Sequence, residues 1–180
     1  MQILDKTFKE ILLSQLVSIA GGLLAGIVLA VYTDNLLLIP GMFILLPGFL
    51  EMRGNISGAL ASRLSSGLFL GIIKPNRTKT NIIHGNLAAS FLLAIFISLM
   101  LGLIAYAFNY LVLGISMAKI ILMPLIAGII ANAIEIPMAF FVTFYLFKKG
   151  HDPNNIMGPF VTTTGDITSI ASLLIALVIL

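Results

Sequence analysis

The stretch Ile156–Leu180, IMGPFVTTTGDITSIASLLIALVIL, decides the fold. A helix that crosses a bilayer core needs ~20 mostly apolar residues. This stretch meets that length and carries one ionisable residue, Asp166. Four comparable stretches precede it: Ile11–Tyr32, Leu36 to about Ile72, about His84 to Leu113, and Ala118–Phe147. None alternates with period 2, which argues against a β-barrel. The expected fold class is therefore all-α: a polytopic membrane protein with five transmembrane helices. A single transmembrane domain over residues 1–180 is expected, with no soluble sensor domain.

Composition points the same way. The chain is 59% hydrophobic and 9% charged, whereas a soluble domain carries about a quarter charged residues. So few charges cannot cover a water-exposed surface. The apolar content also excludes intrinsic disorder. Cysteine is absent, which excludes a disulfide scaffold and thiolate metal centres. No Walker A motif is present, so this chain does not hydrolyse ATP. No nucleophile–base pair and no cluster of metal ligands suggests an enzyme. His84 and His151 fall at helix ends, where interfacial solvation explains them.

Basic residues set the expected orientation. Lys6 and Lys9 precede the first span, Lys74, Arg77 and Lys79 separate the second and third, and Lys148 and Lys149 separate the fourth and fifth. Only Lys119 falls on the opposite side. The asymmetry predicts an N-inside, C-outside topology in the cell membrane. The first stretch is too long for a signal-peptide core and is read as a retained helix. The basic loops suit contact with anionic headgroups of the lipid bilayer rather than nucleic acid.

The second span is too long for one straight crossing. From Leu36 to Ile72 a helix would reach ~55 Å against a ~30 Å core. Pro40, Gly41, Pro47 and Gly48 offer places to bend or break it. An outer segment is expected, followed by a span running inward from about Pro47.

Three acidic residues, Glu51, Glu135 and Asp166, lie within spans. Each costs at least ~2.5 kcal/mol there and should face a cavity, a partner or an ion. Asp166 lies ~15 Å inside the last helix, near the bilayer midplane. Asn155, Gly158, Thr162, Gly165 and Ser169 share its face. The bland alternative is a buried Asp satisfied by neighbouring hydroxyls. Glu51, Asn55, Gly58, Ser62 and Ser65 form a similar stripe on the second span, with Gly54/Gly58 and Gly67/Gly71 spaced for close helix packing. Arg53 points away from Glu51 on a regular helix and needs another counter-charge. Glu135 is at a suitable depth.

Such an oxygen-only environment suits a hard cation, Mg²⁺ above all, with Mn²⁺ or Ca²⁺ less selectively. A two-fold dimer would set two Asp166 carboxylates around one axis and neutralise one divalent ion. Rings of acidic side chains are a known way of selecting cations.

Two motifs carry a family resemblance. Asp152–Asp166, DPNNIMGPFVTTTGD, resembles the start of the last helix of the MgtE / SLC41 family of magnesium transporters. So do Leu46-Pro47, Arg53-Gly54-Asn55 and Ala61-Ser62-Arg63-Leu64-Ser65 in the second span. The resemblance covers essentially the whole chain. It implies a dimer with a pore between the second and fifth helices of both copies. Asp166 would be the pore carboxylate, Asp152 an acidic residue near the cytoplasmic mouth, Asn55 part of a Gly-Asn element, and Thr162 a backbone pore contact. With Glu51 added from its stripe, these are the expected metal ligands. Gly158, Thr163, Ser169, Gly54, Ser62 and Glu135 are expected to line or support the pore. The family's eukaryotic branch has an acidic residue where Ser57 stands, and many bacterial members have Asn in place of Gly158. One domain here implies a homodimer, or a heterodimer with a sister subunit. The alternative function is a substrate-binding membrane subunit of a multicomponent small-molecule transporter.

Overall fold

The computed structural model describes residues 2–180, with side chains from Asp5 onward. Among these residues the regular structure is helical. In chain order it comprises α1 (Gln2–Val31), α2 (Thr33–Leu36), α3 (Met42–Phe69), α4 (Asn81–Phe108), α5 (Lys119–Lys148) and α6 (Pro153–Ile179). A π-helical turn, Asn109–Leu113, extends α4. The five long helices coincide with the five apolar stretches.

The five-span expectation is met in part. Among the described residues four helices, α1, α4 with its extension, α5 and α6, are long and apolar enough to cross a membrane. At 28 residues, α3 has the length, about 42 Å at 1.5 Å per residue. Its Glu51, Arg53 and Arg63 lower its apolar character.

The break in the second stretch also falls earlier than expected. The chain leaves α2, turns through residues 37–41, and α3 begins at Met42 rather than near Pro47. Gly41 makes the turn with φ of 83°, a left-handed conformation that costs little only for glycine. The Asn109 amide Nδ2 donates to the Pro40 carbonyl at 2.6 Å and pins the turn to the end of α4. Pro47 lies inside α3. It cannot bond the Phe43 carbonyl one turn earlier, yet the helix runs through it without a break.

α5 packs against α3, α4 and α6, and α6 also packs against α3 and α1. Small residues allow the closest approach. Ala94, Ser98, Gly102 and Ala105 form the buried face of α4. A Cβ on Gly102 would lie 2.9 Å from the Ile121 Cα of α5. α1 is held largely by α6. Its outer face exposes Leu13, Leu16, Val17 and Leu23, as a lipid-facing helix must. At the start of α6, Asp152 accepts a hydrogen bond from the Asn154 backbone N–H at 2.9 Å, and Pro153 takes the first helical position. Both are favoured residue types for a helix start.

Candidate ion-binding groove between α3 and α6

The packing of α3 on α6 leaves a groove of about 500 Å³ on its outer side. α3 contributes Pro47, Leu50, Glu51, Gly54, Asn55 and Gly58; α6 contributes Gly158, Val161, Thr162 and Asp166. The groove forms because the facing positions are small. A Cβ on Gly54 or Gly158 would meet nothing within 4 Å, and one on Gly58 would come only to 3.8 Å of Val161.

Four of the five expected ligands, Asp166, Thr162, Asn55 and Glu51, therefore share one wall. Asn55 Nδ2 donates to Glu51 Oε1 at 3.0 Å, which fixes the carboxylate along α3. Asp166 is half-buried. Among the described residues its carboxylate has neither a hydrogen-bond nor an ion-pair partner. The neighbouring hydroxyls do not serve it. Thr162, Thr163 and Thr164 donate back to the carbonyls of Gly158, Pro159 and Phe160 at 3.0, 3.0 and 2.9 Å. The bland reading of Asp166, a carboxylate quenched by its own helix, is thus not what the side chains do.

The other expected residues lie elsewhere. Asp152 is absent from the groove. It caps α6 and lines a separate cavity with Lys6, Glu10 and His151. Thr163 faces α1, where its hydroxyl bonds Ser18 at 2.8 Å. Ser62 is exposed one turn beyond the groove's last α3 residue. Gly54 and Gly158 do line it. Ser169 and Glu135 are fully buried behind α6. Helical periodicity put Ser169 on the Asp166 face, but at three residues' separation its hydroxyl reaches toward α3 and binds Arg53.

That buried cluster is the second feature of the site. Arg53 and Glu135 are both 0% exposed, with Nη1 and Oε2 3.7 Å apart. Arg53 Nε donates to Ser169 Oγ. Thr168 donates to Glu135 Oε1 at 3.0 Å, and the Thr164 hydroxyl stands 3.4 Å from Oε2, sharing its one proton between that oxygen and the nearer Phe160 carbonyl. The guanidinium rests against Gly165, where an added Cβ would stand 2.7 Å from the Arg53 Cζ. Thr164, Gly165, Thr168 and Ser169 thus surround Asp166 in sequence and hold the back of α6 to α3 and α5. Sequence reading missed the Thr164 and Thr168 contacts. Their spacing of four on α6 was the available signal, but nothing in it named Glu135 as their partner.

A third cluster joins α1 to the start of α6. Glu10 accepts from Asn155 Nδ2 at 3.0 Å and contacts His151 Nδ1 at 2.9 Å. Asn155 therefore belongs to this junction rather than to the groove. Among the described residues no three His, Asp or Glu side chains gather as a metal-binding group. One chain supplies a wall with carboxylates, not an enclosing cage.

Residues 46–176, a range that includes every lining residue of the groove, match the family described as "MgtE: Divalent cation transporter". The chain belongs to that family. It is similar to "Solute carrier family 41 member 2" of Gallus gallus, with 30% identity over 179 residues covering 91% of this chain. The Xenopus laevis protein of the same name matches equally, at 30% over 179 residues. The Homo sapiens one is 31% identical over 145 residues, 73% of this chain. The chain spans 30% of the length of the chicken and frog relatives. No solved structure matches it. The family is described as one of divalent cation transporters, and as a member of it the chain is a multi-pass membrane protein.

Proposed function

We propose that two copies of this chain pass Mg²⁺ through a hydrated path between the α3–α6 grooves of both. The observation that carries this reading is the unpartnered Asp166 carboxylate facing a 500 Å³ groove of oxygen ligands. A half-buried carboxylate at membrane depth without a partner is costly unless a cation or water compensates it. One Asp166 charge from each copy balances one divalent ion, and Glu51 adds negative charge to the same groove. Mg²⁺ sheds water reluctantly, so the carboxylates, the Asn55 amide and the Thr162 carbonyl contact it largely through its hydration shell. The groove is open on one side, as a half-site must be, and a second copy would close it.

In this reading α3 crosses the bilayer as a fifth span. Its most buried charge, Arg53, is compensated inside the protein, which removes the main objection to its crossing. The helix ends that carry Lys6, Lys9, Lys74, Arg77, Lys79, Lys148 and Lys149 then face the cytoplasm. The oxygen-rich groove favours an ion over an organic cargo, and so does the family. The test is purified protein in liposomes loaded with a Mg²⁺ indicator, with and without an imposed Na⁺ or pH gradient. Uptake that follows the Mg²⁺ gradient supports the reading. Protein that stays folded in the vesicles and passes no Mg²⁺ under any gradient overturns it.

A further inference from the structure

The buried cluster contains one cation and stands beside two carboxylates. Arg53 Nη1 lies 3.7 Å from Glu135 Oε2, and its guanidinium rests against Gly165, the neighbour of Asp166. Its two terminal nitrogens, Nη1 and Nη2, have no hydrogen-bond acceptor, although both are buried. An arginine with two free donors is one of the best available partners for a carboxylate. Asp166 directly follows Gly165, the residue against which the guanidinium rests. The ion site therefore has a competitor for its cation only a residue away.

We infer that Glu135 is a positioning residue for the ion site: it holds Arg53 behind α6 and so keeps Asp166 free to attract a cation. The inference rests on the Mg²⁺ reading of the groove. The geometry supplies each part. Gly165 provides the slot that admits the guanidinium, Ser169 anchors its Nε, and Thr164 and Thr168 fix the carboxylate that retains it. Charge counting gives the same result. Arg53 and Glu135 cancel, leaving the groove the charges of Asp166 and Glu51. Without Glu135, Arg53 would offset Asp166, and the groove would keep only the Glu51 charge.

This makes the removal of a buried acid far from the groove wall weaken cation binding, and the further removal of a base restore it. Glu135→Gln keeps an oxygen for Thr164 and Thr168 but releases Arg53. Half-saturation for Mg²⁺ uptake in liposomes should rise about tenfold or more, since an opposite charge close to a carboxylate shifts its cation affinity by that order. Arg53→Gln/Glu135→Gln should return to within about threefold of the parent, because both charges are gone and Asp166 is free again. A purely structural role predicts the reverse, with the double variant no better than the single. Gly165→Ala gives an independent route if Glu135→Gln does not fold. Its methyl displaces the guanidinium without altering charge, and Gly165→Ala/Arg53→Gln should relieve the defect. Unchanged half-saturation in folded Glu135→Gln, or no recovery in either double variant, overturns the inference. Absence of Mg²⁺ uptake by the parent chain would instead overturn the reading beneath it.

Discussion

Replacing Arg53 by Met removes the single cation from a pocket in which both partners are 0% exposed. Glu135 would keep only the hydroxyls of Thr164 and Thr168, at 3.4 and 3.0 Å. Breaking one side of a buried ion pair costs about 3–5 kcal/mol, because the remaining charge is uncompensated. For a chain of this size that corresponds to a fall in melting temperature on the order of 10 °C. Replacing both, Arg53→Met/Glu135→Leu, removes the orphan charge and fills the space with apolar atoms. The double variant should lie within about 1 kcal/mol of the parent, since buried pairs exchange well for packed hydrophobic residues. Thermal denaturation in detergent, followed by size-exclusion recovery or intrinsic tyrosine fluorescence, measures all three. A single variant as stable as the parent, or a double variant less stable than the single, would refute the claim that charge compensation rather than shape holds this cluster.

Two further outcomes follow from the glycines. Gly158→Leu adds a side chain where no atom lies within 4 Å, so it should fill the groove, cut Mg²⁺ uptake at least about tenfold by blocking the path, and leave the melting temperature nearly unchanged. Liposome uptake and melting measured on the same preparation check this. Gly41→Ala forces a side chain onto a φ of 83° and into Asn109, whose Cγ would lie 2.6 Å away. It should destabilise the turn between α2 and α3 by about 1–3 kcal/mol, seen as a lower melting temperature.

Much of this structure could be read from sequence because lipid leaves few options. A backbone in hydrocarbon must satisfy its own hydrogen bonds, so each long apolar run had to become a helix. Asp166 and Glu51 were conspicuous for the same reason: a charge in such a run is rare. What remained hidden was the side on which each polar residue found its partner. Ser169 and Thr163 share the polar character of α6, but one binds Arg53 and the other Ser18. Sequence periodicity gives a helix face to within tens of degrees, whereas a hydroxyl's partner depends on the neighbouring helix. The break before α3 was displaced for a related reason. Pro40 and Pro47 carry the same local signal, and only the tertiary contact of Asn109 with the Pro40 carbonyl selects between them. Asp152 illustrates a third limit, for a carboxylate ahead of Pro153 serves equally well as a cap or as a ligand until its neighbours are known.

The central claim is that an unpaired carboxylate on α6 draws a divalent cation into the α3–α6 groove. Mg²⁺ uptake into liposomes by Asp166→Asn, beside the parent chain at equal protein density, tests it most directly. The substitution keeps shape and size and removes only the charge, so the protein should reconstitute normally and lose Mg²⁺ uptake by about a hundredfold, on the order of 3 kcal/mol of lost attraction. Uptake equal to that of the parent would contradict the account.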